Sequence, residues 1–340
     1  MTKVSIIIPH YNGRDILQEC LDSLMKSTFK DMEVILVDNG SSDDSLEMAE
    51  KHPLNVRIIR NKINLGYAGG CNVGIRTALG EYLLILNNDT IHDPGWIEPM
   101  VNWLDNHLDT VSVMPKILSY NRPDYFDYSG AAGGMIDKYA YPFARGRLFD
   151  YIEKDTGQYD NPIEIFWSSG TAFMVRKSAL DSCGTFDERF FAHMEEIDLH
   201  WRFHLYGFNA YCIPDSVIWH HSGWTLPPDS FRKKYLNHRN NLIMLLANYS
   251  FWSLICIAPI RFLLDGVSAI FALSKKDSKR FFAVFAAHFW IFFHPFYLIK
   301  KYRCHQRLRK VPDHLIQKKM TGYAIPVQVF LRKKHRYSQL

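Results

Sequence analysis

The sequence predicts an α/β fold built on a mainly parallel sheet. Three observations carry that reading. Apolar runs of strand length alternate with segments of helical period. The runs are apolar at consecutive positions rather than alternating, as in strands covered on both faces. Each run ends in polar residues, and in such sheets ligands sit beyond the carboxyl ends of the strands.

Val4-Ser5-Ile6-Ile7-Ile8-Pro9 is a β-branched run stopped by proline, the first buried strand. Ile16, Leu17, Cys20, Leu21, Leu24 and Met25 then repeat at helical spacing. Glu33 to Asp38 is a second strand, and Asn39-Gly40-Ser41-Ser42-Asp43-Asp44 a turn that caps the next helix. Asn55 to Arg60 gives a third strand, the segment after Tyr67 a third helix, and Glu81 to Asn87 a fourth strand. Asp93-Pro94 reads as a helix start, with Asp at N-cap and Pro at N1. Between about 120 and 165 the pattern weakens and glycines gather (Gly130, Gly133, Gly134, Gly146), so a long functional loop or short irregular strands are expected. Ile163 to Arg176 returns to strand character, Ser216 to Trp219 is a further strand, and Glu196 to Tyr206 and Phe231 to Ala247 are helical.

With 340 residues, 47% apolar and 22% charged, the chain is long enough for one large domain with an appendage, or two domains. That balance excludes disorder, collagen and a small disulfide scaffold for the bulk of the chain. The net charge of +5 hides an asymmetry: Lys275 to Leu340 holds 16 basic residues and two acids, Asp277 and Asp313, while the preceding body is acidic. Such a tail is expected to meet an anionic surface. The six cysteines are scattered without a Cys-x-x-Cys pair, which fits a reducing compartment. No signal-peptide pattern opens the sequence, so the body is expected in the cytoplasm.

Four groups of residues carry possible chemistry. Asn87-Asn88-Asp89 ends a strand, where a carboxylate can hold Mg²⁺ or Mn²⁺ against substrate phosphates; it could equally cap the next turn. Asp38 can accept from a base N–H or a ribose hydroxyl, or can simply form a turn before Gly40. Asn64-Leu65-Gly66-Tyr67-Ala68-Gly69-Gly70-Cys71-Asn72 is a glycine-rich approach to a helix that would let backbone come close to a nucleotide. It is neither a dinucleotide fingerprint nor a P-loop. Glu195-Glu196-x-Asp198 is the strongest signal. Three carboxylates in four positions repel one another, and here they lie among Phe190, Phe191 and Trp201, a poor surface face. His220-His221 follows a strand, and one imidazole could ligate a metal or phosphate, or be structural.

Taken together these segments resemble family 2 glycosyltransferases of the GT-A fold, particularly the rhamnosyltransferase-like bacterial branch. The carrying residues are Val4 to Gly13, Val37 to Asp43, Asn64 to Gly74, Leu86 to Thr90, Ser169 to Arg176, Phe186 to Phe191, Glu195 to Leu199, and His220-x-x-Gly223-x-Thr225, in consistent order over roughly residues 3 to 245. The resemblance implies a Rossmann-like nucleotide-diphospho-sugar transferase domain over 1–245 and a membrane-associating helical, basic tail over 246–340. It implies donor contacts from Pro9, Tyr11, Asn12, Asp38, Asn64, Gly66, Asn72, Asn87 and Asn88. Asp89 would be the metal ligand for Mg²⁺ or Mn²⁺, with His220 the second metal or diphosphate contact. Glu196 would be the general base, with Glu195 the fallback, and Trp167, Gly170 and Asp198 would meet the acceptor. Asn87 stands where the family has the first Asp of its Asp-x-Asp motif, and Glu196 is one methylene longer than the family's usual Asp.

The implied activity is inverting transfer from dTDP-rhamnose or a UDP-hexose to a hydroxyl of a glycan or lipid-linked acceptor, in surface polysaccharide biosynthesis. Such a displacement needs a base and a cation but no side-chain nucleophile. Two alternatives are a sugar-1-phosphate nucleotidyltransferase, which normally shows a more glycine-rich, basic N-terminal signature than Pro9 to Arg14, and a non-catalytic glycan-binding relative, in which the carboxylates would decay.

Phe281 to Ile299 is 19 residues without formal charge, flanked by Lys279-Arg280 and Lys300-Lys301; Tyr249 to Leu273 is apolar but contains Arg261 and Asp265. A simple span needs about 20 apolar residues and an asymmetric basic flank. Helices lying in the cytoplasmic leaflet of the bacterial inner membrane, peripheral or monotopic with the basic tail on anionic lipid, fit better. Nucleic acid ranks below lipid as the anionic partner, because the body lacks a groove-reading motif. A homodimer is compatible with the sequence.

Overall fold

The computed structural model describes residues 2–221 and 229–340, so Gly223 and Thr225 of the histidine motif lie outside the described residues. The N-terminal half alternates as expected: β1 (Val4–His10), α1 (Arg14–Met25), β2 (Met32–Asp38), α2 (Ser45–Lys51), β3 (Val56–Arg60), α3 (Gly66–Thr77) and β4 (Tyr82–Leu86). β1 is buried at every position, and β1 pairs in parallel with both β2 and β4, β2 in parallel with β3. The order β4-β1-β2-β3 means the chain changes direction across the sheet between β1 and β4. A crevice opens at such a switch point, and it brings His10 beside Asn88. Helix α3 lies so close to the sheet that a Cβ at Gly74 would stand 2.3 Å from Ile7 Cγ2.

The chain continues through β5 (Thr90–His92), α4 (Ile97–Asn106), β6 (Thr110–Ser119), four short strands β7 (Gly134–Ile136), β8 (Pro142–Ala144), β9 (Arg147–Leu148) and β10 (Tyr151–Ile152), then β11 (Ile163–Ile165), β12 (Ala172–Arg176), α5 (Lys177–Cys183), α6 (Glu195–Tyr206) and β13 (Asn209–His220). β12 runs antiparallel between β4 and β6, and β13 pairs in parallel with β6, extending the main sheet. The glycine-rich 120–165 region forms a separate antiparallel sheet, β7 to β10.

Three sequence expectations change. Asp93-Pro94 does not start the helix: Asp93 Oδ1 accepts from Gly95 N at 3.0 Å and its carbonyl from Trp96 N at 3.2 Å, so it closes a turn and α4 begins at Ile97. Ile163 to Arg176 is two strands, because Ser168 to Gly170 carries the chain from the sheet edge to its middle. The apolar stretch Phe281 to Ile299 is broken near His294 into α9 (Ser278–Phe293) and α10 (Pro295–Leu308), which meet at 79°.

Helix α7 (Phe231–Asn248) packs on α6 and runs through residue 245. It leads into α8 (Phe251–Ser274), which has the length and apolar composition of a membrane span. Its two charges point inward, however. Arg261 Nε meets Asp265 Oδ1 at 3.0 Å, both buried, and Arg261 also donates to Tyr139 O and Asn241 Oδ1. The basic tail is likewise partly consumed inside. Lys301 on α10 bridges Asp187 (2.7 Å) and Asp198 (3.1 Å), and Arg309 pairs with Asp313, which opens α11 (Asp313–Ile316). Burial alone would raise the Asp198 carboxyl; the Lys301 ammonium beside it holds it well below the usual range.

Removing one partner of a buried ion pair leaves the other charge uncompensated. Lys301→Met is therefore expected to lower the unfolding free energy by ~3–5 kcal/mol. Lys300→Met, on the exposed side of the same helix, should stay within ~0.5 kcal/mol. Denaturant unfolding of the two variants measures the difference.

Candidate active site

The crevice beyond β1, β2 and β4 is built from turn residues. Asn12 adopts a left-handed conformation (φ 56°), and its Oδ1 accepts from Ser42 N at 2.8 Å while its N–H donates to Ser41 Oγ at 2.9 Å. This locks the turn after β1 to the turn after β2. Asp38 is buried, with Oδ1 accepting from Ser41 N at 2.9 Å. Its turn-forming role is thus realised. Tyr11 is 49% exposed, a ring with no core role. Pro9 is buried near the end of β1, where a Cβ at Gly70 of α3 would lie 3.2 Å from its own Cβ. Asn64 Oδ1 accepts from Gly66 N at 2.8 Å, setting the entry to α3.

His10 and Asn39 went unassigned from sequence. His10 is buried, and burial pushes its imidazole down to about 4, so the ring is neutral. Asn88 Nδ2 donates to its Nδ1 (2.8 Å), which assigns the proton to Nε2, facing Ser45 Oγ at 2.8 Å. His10 is therefore the strut that aims Asn88. Asn39 Nδ2 donates to Gly66 O at 3.1 Å and joins the β2 turn to α3.

Asn87 N donates to Thr171 O at 2.9 Å, fixing the strand end. Asp89 follows, 3% exposed. His220, at the end of β13, places Nε2 3.1 Å from Asp89 Oδ1 and Nδ1 2.9 Å from Asp127 Oδ1. Burial alone would raise the Asp89 carboxyl and lower the His220 imidazole. Their mutual attraction, with Asp127 adding to it, overrides both, so Asp89 stays low and His220 rises to about 10. Asp127, 93 residues from His220, carries no sequence signal.

These residues fit a divalent cation. Asp89 Oδ1 is buried and faces His220 Nε2 at 3.1 Å, so a divalent cation would take the place of the imidazole's proton between them. A carboxylate oxygen and an imidazole nitrogen suit Mn²⁺ or Mg²⁺. No cluster of three or more protein ligands exists among the described residues, so a diphosphate and water would complete the shell.

Glu195 and Glu196 open α6 behind the left-handed residues Phe191, His193 and Met194 (φ 63°, 72° and 72°). Asn240 of α7, fully buried, holds that loop: its Nδ2 lies 3.0, 3.0 and 2.8 Å from the carbonyls of Phe190, Ala192 and His193. Arg239 donates to Arg189 O at 2.7 Å. Burial pushes both glutamate carboxyls above the usual range, and for Glu195 the adjacent Glu196 adds to it. Each keeps a buried Oε2 without a hydrogen-bond partner among the described residues. Glu195 is 4% exposed and lies against Cys71 and Tyr67, whereas Glu196 is only half-buried. The Tyr67 hydroxyl donates to Gly170 O. Gly66 joins the two halves of the site, since a Cβ there would lie 2.5 Å from Phe191 O, and Ala68 N donates to that same oxygen at 3.2 Å.

Three residues expected at the site are committed elsewhere. Asp198 has no exposed surface and is taken up by Lys301, Arg202 and Asn248, because position 198 lies about 200° around the helix from Glu196. Trp167 is 5% exposed and donates from Nε1 to Met135 O at 2.7 Å. Asn72 is buried and pins α3 to the carbonyl and N–H of Phe186.

Comparison with known proteins identifies the family and the fold. The family model "Glycosyl transferase family 2" matches residues 5–184, which include Asp38 and Asp89 and stop before Glu195 and His220. An N-acetylglucosaminyl-diphospho-decaprenol L-rhamnosyltransferase of Mycobacterium tuberculosis H37Rv is 28% identical over 294 residues, covering 78% of this chain and 90% of that protein. The crystal structure of GalNAc-T7 with UDP, GalNAc and Mn²⁺ aligns with 72% of this chain and 48% of its own at a TM-score of 0.59 and 16% identity. S. aureus TarS aligns with the same share of this chain and 38% of its own, at a TM-score of 0.50 and 19% identity. Those two likenesses concern the fold alone. The fold is GT-A, and the chain belongs to glycosyltransferase family 2.

Proposed function

We propose that this glycosyltransferase is inverting, moving a sugar from dTDP-rhamnose or a UDP-hexose to a hydroxyl of a glycan or lipid-linked acceptor in surface polysaccharide assembly. One observation carries the reading: the site holds carboxylates in opposite electrostatic environments. Asp89 is held ionised beside His220, and the Glu195–Glu196 pair is raised by burial. Divergent environments of this kind assign roles, a fixed anion and a proton acceptor.

Tyr11, Asn12 and Asp38 bind the donor's base and ribose, with Asn64, Gly66, Asn87 and Asn88 along the sugar and diphosphate. Glu196, more accessible than Glu195, takes the proton from the acceptor hydroxyl as the acceptor oxygen bonds to the anomeric carbon. The bond from that carbon to the phosphate oxygen breaks in the same step, and the nucleoside diphosphate leaves as an anion. Asp89 and His220 would hold the Mg²⁺ or Mn²⁺, which when bound neutralises that leaving group. Glu195 stays protonated against Cys71 and Tyr67, and burial keeps Glu196 raised. Gly170 lies next to the acceptor path through Tyr67.

The chain docks on the cytoplasmic leaflet of the inner membrane through α8 and α9. Trp252 (76% exposed), Leu263 and Ile270 on α8 and Phe289, Phe292 (77%) and Phe293 on α9 form an apolar outer face. The inward Arg261–Asp265 pair makes α8 one-sided, which suits a helix lying in the interface. Lys275, Lys276, Lys279 and Arg280 at the α8–α9 turn face the anionic headgroups. The lipid-linked substrate in the name of the mycobacterial relative supports this location.

Purified enzyme in detergent should release nucleoside diphosphate from one dTDP- or UDP-sugar only with Mn²⁺ or Mg²⁺, and Asp89→Ala should abolish that release; metal-independent turnover by Asp89→Ala would sink the assignment. Glu196→Gln should lower kcat by ~10²–10⁴-fold. The wild-type rate should rise with pH through a midpoint above the ordinary glutamate value of ~4.3. The sign for stability is opposite. A carboxyl raised on folding favours the native state while protonated, and that advantage is lost as pH rises through the folded value. Glu196→Gln should therefore melt higher than wild type at pH 8 and alike at pH 4. Finally, the protein should sediment with anionic vesicles and much less with neutral ones, and Phe292→Asp with Phe293→Asp should release it.

A further inference from the structure

The backbone around Asp89 and His220 sets a third side chain in line with them. β5 pairs with β13 so that Thr90 lies opposite His220, and His221 N donates to Asp89 O at 2.9 Å. On its other side β13 pairs with β6, with His220 opposite Ser119, and Tyr120 N donates to His220 O at 3.0 Å. The segment after β6 then folds back along that strand. Ser119 N donates to Tyr125 O, Asp127 N to Ile117 O and Ile117 N to Ala131 O, each at 2.9 Å. The main sheet clamps this return as well: Ser169 Oγ donates to Ser129 O at 2.5 Å, and a Cβ at Gly130 would stand 2.4 Å from Ser169 Cβ. Asp89, His220 and Asp127 therefore form a row whose spacing is set by main-chain pairing.

Asp127 is buried. Its Oδ1 accepts from Ser129 N at 2.7 Å and lies 2.9 Å from His220 Nδ1. A carboxylate oxygen can only accept, so Nδ1 is the donor. With Nδ1 tied in this way, Nε2 faces Asp89 Oδ1 at 3.1 Å. A half-turn of the ring about Cβ–Cγ would put a carbon, Cε1, where Nε2 stands. A carboxylate behind a ligating imidazole fixes the ring and the nitrogen it presents. The constraint matters here because no cluster of three or more protein ligands exists among the described residues, so the imidazole is a large part of what the chain offers a cation.

We propose that Asp127 is the positioning residue of the metal site. It acts through His220, holding the ring with Nε2 turned to Asp89, so that both ligands are in place before a cation arrives. The assignment rests on the proposed cation site at Asp89 and His220. It also gives the segment between β6 and β7 a task in the crevice that its sequence does not announce.

The test is Mn²⁺ binding to the full chain in detergent, read from the electron paramagnetic resonance of the unbound ion. Asp127→Ser keeps an oxygen for Ser129 N, since serine forms the same turn, but is too short to reach Nδ1. It should weaken Mn²⁺ binding by about 10–100-fold. Asp127→Asn, which restores an acceptor at Nδ1, should recover most of that loss. In a His220→Ala background Asp127→Ser should cost nothing further, because the two residues act as one unit. Wild-type affinity in Asp127→Ser, an Asn variant as weak as the Ser variant, or an undiminished effect of Asp127→Ser in the His220→Ala background would each overturn the role. Asp89→Ala and His220→Ala alone read the cation site itself. If both weaken Mn²⁺ binding and Asp127→Ser does not, only the positioning role falls. If neither weakens it, the cation site falls and the role with it.

Discussion

Two adjacent glutamates, one buried and one half-buried, stand at the first turn of α6, and much of the architecture around them holds them there. Each has a buried carboxylate oxygen without a hydrogen bond among the described residues, and both carboxyls are raised. Leaving such groups unpaired is costly. So is the approach to them: Phe191, His193 and Met194 occupy left-handed backbone conformations, each of which costs on the order of 1–3 kcal/mol outside glycine. Two neighbouring side chains of α7 offset part of this. The Asn240 amide lies within hydrogen-bond distance of three loop carbonyls at once, and Arg239 takes that of Arg189.

The same loop ties the Glu195–Glu196 turn to the crevice beyond β1 and β2. Gly66 can approach Phe191 only because it lacks a Cβ, and its carbonyl accepts from Asn39, the residue after Asp38. A short chain of contacts thus runs from the β2 turn through the start of α3 to the loop before Glu195. Behind α6, Lys301 of α10 anchors the helix through Asp198 and the preceding segment through Asp187. The C-terminal helices therefore belong to the scaffold behind Glu195 and Glu196, and α6 shares one core with α7, α8 and α10.

The parallel sheet was legible because its strands are continuous apolar runs that end in polar turns, and α1 because its apolar positions keep helical period. The candidate carboxylates were legible as short segments, Asn87 to Asp89 and Glu195-Glu196, which the structure sets after β4 and at the start of α6. What sequence did not reveal lies in contacts between distant positions: Asp127 holding His220, Asn240 holding the loop, His10 aiming Asn88. A buried asparagine or histidine has no periodicity that announces its partner. Asp198 misled for a different reason. It completes an acidic cluster along the chain, but on the helix it faces away from Glu196 and into the ion pair with Lys301. The tail's charge misled in part, since Lys301, Arg309 and Lys319 are spent on internal partners.

The central claim is that one buried glutamate deprotonates the acceptor while the donor's phosphate bond breaks, in a single displacement with no enzyme-bound sugar. The most direct test is the anomeric configuration of the freshly formed product, read by proton NMR against that of the donor. The account predicts inversion. A product that retains the donor's configuration would contradict it, because retention requires a second displacement or a front-face mechanism in which Glu196 has no role as base.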